Sequence, residues 1–137
     1  MRLPHVPRYW GVCAVVFTVG CGSSPTEPEP VYELKTETHS GSLAVGGTSA
    51  FHFAVVNPGD INVAITQLDP STLTMGLELG TWDDPTSACI GQLSTSTAVL
   101  NAVFGASPDS PGEYCVAIRD VGNIQTSADF TLTVTHY

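Results

Sequence analysis

Between Val31 and Tyr137 apolar residues recur at every second position, and no window sustains helical spacing. In AFHFAVV, Phe51, Phe53 and Val55 share one face and His52, Ala54 and Val56 the other. INVAIT groups Ile61, Val63 and Ile65. MGLELGT groups Met75, Leu77 and Leu79 opposite Gly76, Glu78 and Gly80. EYCVAIR turns Tyr114, Val116 and Ile118 inward, and ADFTLTVTHY does the same with Phe130, Leu132 and Val134. TAVLNAVF admits two registers. The one with Ala98, Leu100, Ala102 and Phe104 inward is preferred, because it leaves Asn101 in water. YELKTET supplies a further strand near the start.

Turn chemistry separates these runs. NPGD, residues 57–60, carries Pro then Gly at its central positions and suits a type II turn. SGSLAVGG, LDPS, SPDSPG and DVGN are the other breaks, the first of which places His39 in a turn. A strand with one apolar face must bury it against a second layer. The chain is therefore expected to be all-β, an antiparallel β-sandwich of seven or eight strands. Periodicity leaves immunoglobulin-like and jelly-roll topologies both open.

Residues 1–30 are of another kind. Arg2 and Arg8 are the only charges before Glu27, and an uncharged apolar stretch of about a dozen residues follows Arg8. That layout is an export signal, and it is short of the roughly 20 residues of a membrane span. Cys13 follows bulky Val12, whereas Cys21 follows Gly20, the small neighbour a signal peptidase requires. The stretch TVGC resembles the lipobox of bacterial lipoproteins, with Thr18 where that family usually has Leu. The resemblance implies a diacylglycerol on the Cys21 sulfur, cleavage before Cys21, and often acylation of the new amine, palmitate being the common chain. An ordinary signal peptide with an incidental cysteine and a cytosolic chain with a buried N-terminal helix are the alternatives.

The expected organisation is thus a signal peptide over 1–20, a lipidated cysteine and linker over 21–30, and a β-sandwich domain over 31–137. GSSPTEPEP has nothing to bury, and its prolines favour an extended chain of about 3.1 Å per residue, a tether of roughly 25 Å. The expected location is the cell envelope. Gly22 is not the Asp that marks inner-membrane retention in enteric bacteria, so the outer membrane is expected where a cell has two.

Beyond residue 20 only Lys35 and Arg119 oppose all 13 carboxylates. Nucleic acid demands a basic face and is excluded as a partner, as is docking onto anionic lipid. Divalent cations and basic partners remain compatible with the charge.

Cys89 and Cys115 are the other thiols of the exported chain, and outside the cytoplasm such a pair bridges. Cys115 has the opposite parity to Tyr114 and Val116. The bridge is therefore expected on a sheet's outer face or rim, pinning the loop that follows Trp82. With no CxxC or HxxxH, neither a zinc site nor redox catalysis is expected.

The order SGSLAVGGTSAFHFAV, GDINVAI, LELGTW, PGEYCVAI and ADFTLTVT resembles the bacterial pre-peptidase C-terminal domain over roughly residues 31–136. The matching positions are Gly112, Tyr114, Val116 and Ile118, closed by Phe130, Leu132 and Val134. The resemblance implies a secreted β-sandwich, usually appended to proteases and similar to collagen-binding modules, some of which hold calcium. No protease accompanies it here, and two cysteines are extra.

No nucleophile elbow, zinc-protease helix or phosphate loop occurs, and the only adjacent acid pair is Asp83–Asp84. The chain is expected to be non-catalytic, without cofactor or metal, although a Ser-His-Asp set from distant positions is the alternative. GTWDDPTSAC, residues 80–89, joins Trp82, the only tryptophan beyond the signal, to Asp83 and Asp84. These three are the candidate ligand contacts, for a cationic or sugar ligand. The first alternative is a Trp82 that covers the open end of the sandwich beside ordinary turn carboxylates. The second is a calcium site recruiting Glu33, Glu37 or Asp109. Two functions follow: an envelope-tethered binding or adhesion module with a protein or polysaccharide partner, or a structural subunit of a surface assembly.

Overall fold

The computed structural model describes Pro28 and residues 31–137. The expected signal peptide, Cys21 and the rest of the expected linker lie outside the described residues. Eight strands are formed: β1 (Lys35–Ala44), β2 (Thr48–Val55), β3 (Ile61–Asp69), β4 (Met75–Asp83), β5 (Ala88–Ala98), β6 (Val103–Ala106), β7 (Gly112–Asp120) and β8 (Ser127–His136). They make two antiparallel four-stranded sheets, ordered β1-β8-β3-β6 and β2-β7-β4-β5. Partners nest, β1 with β8, β2 with β7, β3 with β6 and β4 with β5. A hairpin folded over on itself in this way is a jelly roll, which decides between the two topologies the periodicity allowed.

The alternating residues form the core. Val63, Ile65, Leu132 and Val134 from one sheet meet Leu77, Val116 and Ile118 from the other, and all seven are fully buried. Each such side chain contributes about 1.5–3 kcal/mol on leaving water. Gly41 lies opposite Phe130, and the added carbon of an alanine there would come 3.0 Å from the ring. Tyr114 turns inward and donates its hydroxyl to the Ser110 carbonyl at 2.9 Å, closing the β6–β7 loop.

Three sequence-based expectations need correction. The first concerns β5, which is absent from the alternation: ACIGQLSTSTA has no clear apolar face. It is an edge strand, exposed along most of its length, and its register with β4 slips twice. The second is TAVLNAVF, which is not one strand. The inward residues are as expected, but β5 ends at Ala98 and β6 begins at Val103. Between them Asn101 takes a positive φ of 67°, and the chain crosses from one sheet to the other. Short polar Asn tolerates that conformation. The third is His39, which lies within β1 rather than in a turn. Edge strand β1 runs on through Ser40–Gly41–Ser42 because pairing with β8 continues to Ala44 and Ser127.

Strand directions sort the loops by charge. Residues 31–34 and loops 56–60, 84–87 and 107–111 gather at one end, with Glu33, Asp60, Asp84 and Asp109 in them. Loops 45–47, 70–74, 99–102 and 121–126 make the other end and carry no charged side chain.

Asp120 ties that uncharged end together. Its carboxylate accepts backbone N–H groups from Gly46 at 2.9 Å, Gly122 at 2.8 Å, Asn123 at 3.0 Å and Ile124 at 3.2 Å. These bonds, Gly46 foremost, together outweigh the opposing effect of desolvation and lower its pKa to about 2. A carboxyl more acidic in the folded state stabilises above its unfolded pKa, and that stabilisation disappears as pH falls through the folded value. Urea midpoints of the parent should therefore exceed those of Asp120→Ala at neutral pH. The gap should narrow from about pH 4 downward and close near pH 2. A gap independent of pH would assign the loss to packing instead.

Candidate functional site

On the outer face of the β2-β7-β4-β5 sheet, cross-strand register builds a row of His52, Cys115 and Gly80. One position further toward the acidic end the same face carries Glu113 and Trp82. They flank the last paired residues, Tyr114 and Thr81, and Trp82 pairs with Cys89 on β5. The rings of His52 and Trp82 stack at 4.8 Å between centroids with an interplanar angle of 22°. Trp82 is half-buried. It does not cover the open end of the sandwich: it has the outward parity of Glu78 and Gly80, while Leu77 and Leu79 fill the core.

Cys89 and Cys115 are joined in a disulfide with a Cα–Cα distance of 5.6 Å. Cys115 is fully buried although it faces outward, shielded by the bridge beside the two rings. Its partner belongs to a strand that lies beyond β4 in the sheet order. Two strand spacings of about 4.8 Å would hold the cysteines too far apart. Gly80 removes the obstacle. A side-chain carbon there would collide with the Ile90 carbonyl and lie 2.8 Å from the Gly91 Cα. The start of β5 thus folds over β4 where β4 has no side chain. At Gly91 an added carbon would meet only the Glu78 side chain, which can move aside, so the backbone obstruction is particular to Gly80.

The turn after Trp82 is short and internally bonded. Thr86 donates its hydroxyl to the Asp83 carboxylate, and the Ser87 N–H bonds the Asp84 carbonyl at 3.2 Å. Ser87 takes a positive φ of 51°. Asp84 and Glu113 are exposed. Among the described residues no group of three His, Cys, Asp or Glu side chains is placed to hold a metal ion, so Glu33, Glu37 and Asp109 do not converge on this turn. The structure brings Trp82 together with the disulfide, and leaves Asp83, of opposite parity, bonded to Thr86 in the turn. It adds His52 and Glu113, whose outward parity was legible but whose proximity to Trp82 depended on β2 and β4 flanking β7.

A second polar cluster lies at the β1 edge. Glu37 Oε1 meets Lys35 Nζ at 2.6 Å and His136 Nε2 at 3.2 Å. Burial pushes the Glu37 carboxyl up, but Lys35 and His136 more than offset it, and its pKa lies below the usual value. His136 is fully buried and tilted over Phe53, while half-buried His39 stacks on Phe51. Among the described residues no serine, threonine or cysteine bonds either imidazole, and charge turned inward from an edge strand guards it against pairing with another chain. An apolar recess of about 170 Å³ opens between Leu79, Leu93, Ala106 and Tyr114. It is smaller than the roughly 300 Å³ at which ligand pockets begin. A second, larger recess of about 450 Å³ lies where the chain enters β1, between Glu33, Leu34, Lys35, Thr36, Val56 and Tyr137. The outer face around Trp82, with its stacked rings beside the disulfide, is the candidate site. No family model matches the chain, and no curated protein matches it.

Proposed function

We propose that the protein is a lipid-anchored lipoprotein of the bacterial cell envelope, in the outer membrane where there are two. Its β-sandwich, similar to the pre-peptidase C-terminal domain, serves as a non-catalytic binding or adhesion module. The observation that carries the binding role is the placement of Trp82. The largest side chain of the domain is held half-buried, stacked on His52 beside a disulfide, on a sheet face rather than in the core. An indole fixed in this way offers a large rigid contact at little cost in conformational entropy. The anchor rests on the charge layout of residues 1–20 and on TVGC.

Two arms test the reading. Cys21→Ala should abolish labelling by a palmitate analogue, and globomycin, which blocks the lipoprotein signal peptidase, should make the uncleaved form accumulate. Labelling that survives the substitution refutes the anchor. Envelope components recovered with the parent should be lost with folded Trp82→Ala, and an unchanged set refutes the binding role. A structural subunit is the second reading. It is favoured by β5, a free edge with Ile90 and Leu93 exposed and no charged side chain, and edges of that kind template pairing with another chain.

A further inference from the structure

We infer that the outer face around Trp82 takes a cationic partner, a peptide segment bearing lysine or arginine. The inference rests on the binding role proposed for that face and adds the chemistry of what is bound. The half-buried indole, stacked on His52, presents a π-system whose electrostatics attract an ammonium or guanidinium group, by about 0.5–2 kcal/mol. Carboxylates stand near it in register and in the following turn. Glu113 is on the neighbouring strand, outward and exposed, and exposed Asp84 opens the turn two residues after Trp82, while Asp83 has the opposite parity and is held by Thr86.

No lysine or arginine of the domain competes for the ring. Lys35 is engaged by Glu37 on the other sheet. Arg119 lies against Gly76, where an added carbon would meet its Cγ at 2.7 Å, well along β7 from Glu113. The surrounding loops extend the same sign through Asp60 and Asp109. A partner approaching this end therefore meets a negative field, which speeds the encounter with a basic segment and disfavours an acidic one. A neutral sugar would gain the stacking surface but nothing from the charges, and this separates the two ligand classes by experiment.

The test is calorimetric titration of the purified full chain, in neutral detergent, with octa-arginine and with cellohexaose as an uncharged stacking probe. Octa-arginine should bind, and more weakly as sodium chloride is raised. Trp82→Ala should weaken it about tenfold. Because Trp82→Ala also removes the stack on His52, the surface changes Glu113→Gln and Asp84→Asn serve as second variants. Each should weaken binding severalfold, while Asp129→Asn, on the opposite sheet, should leave it unchanged. Equal weakening by Asp129→Asn, or binding indifferent to Trp82, reduces the effect to general acidity and overturns the inference. If cellohexaose binds in a Trp82-dependent way and octa-arginine does not, the binding role stands and the cationic ligand falls. If neither probe depends on Trp82, and envelope components are recovered equally with Trp82→Ala, both fall.

Discussion

Replacing Cys89 and Cys115 together by serine is expected to lower the melting temperature by roughly 15 °C. The bridge closes a loop over a sequence separation of 26 residues. In the chain-entropy treatment, itself one of two competing accounts, a loop of that size contributes about 3.5 kcal/mol. For a domain of this length each kcal/mol corresponds to roughly 4–5 °C. The bond also has a local role, since it holds the start of β5 across β4 onto β7, and β5 has no neighbour on its outer side. Thermal unfolding followed by circular dichroism checks the figure, and the parent under reducing conditions should match the double variant. A loss of less than about 3 °C would mean that the β4–β5 pairing holds the edge by itself. Reduction should also raise Trp82 emission, because a disulfide quenches an indole beside it.

Gly80→Ala is expected to cost about 3 kcal/mol, near the top of the range for overpacking, because the obstructing atoms are backbone and cannot rotate away. The melting temperature should fall by roughly 10–15 °C. The same collision lifts the start of β5 off β4 and draws Cys89 away from Cys115. The variant should therefore contain a fraction with two alkylatable thiols, measurable by mass after labelling under native conditions. Gly112→Ala is the control: an added carbon there meets only the Tyr114 ring, at 3.6 Å, and stability should be nearly unchanged. If Gly80→Ala were as stable and as fully oxidised as the control, the close crossing at Gly80 would not be what brings the cysteines together.

The core was legible because strand parity is binary. Once Phe53 and Val55 are inward, His52 is outward, and Cys115 follows from Tyr114 and Val116 in the same way. What escaped were residues whose surroundings come from other strands. β5 could not be read from its own sequence, since both its faces meet solvent over most of its length and nothing imposes alternation. Its two register slips remove even the residual periodicity. His39 was placed in a turn because Ser40–Gly41–Ser42 has turn composition. Gly41 instead serves Phe130, a residue of β8, and composition carries no trace of that. The candidate site was half legible. Trp82 with Asp83–Asp84 stood out by rarity, and a bridge between the last two cysteines followed from pairing outside the cytoplasm. His52 joins Trp82 only because β7 lies between their strands, a fact of sheet order and not of spacing.

The nested pairing has a consequence for how the chain matures. The outermost pair of the nest, β1 with β8, joins Lys35 to His136, so the first strand made has no partner in its sheet until the last one emerges. The β2–β7 pair waits almost as long, and only β4 and β5 can form a local hairpin. Contacts of such high sequence separation fold slowly, because loop closure comes before the burial that rewards it. While it is being synthesised the domain therefore stays open, with its Val- and Ile-rich strands available to chaperones. An unfolded chain of that kind is what a secretion channel accepts, and the proposed export route requires it. On that proposed route, closure of the fold belongs to the far side of the membrane, where the two cysteines would also meet their oxidant.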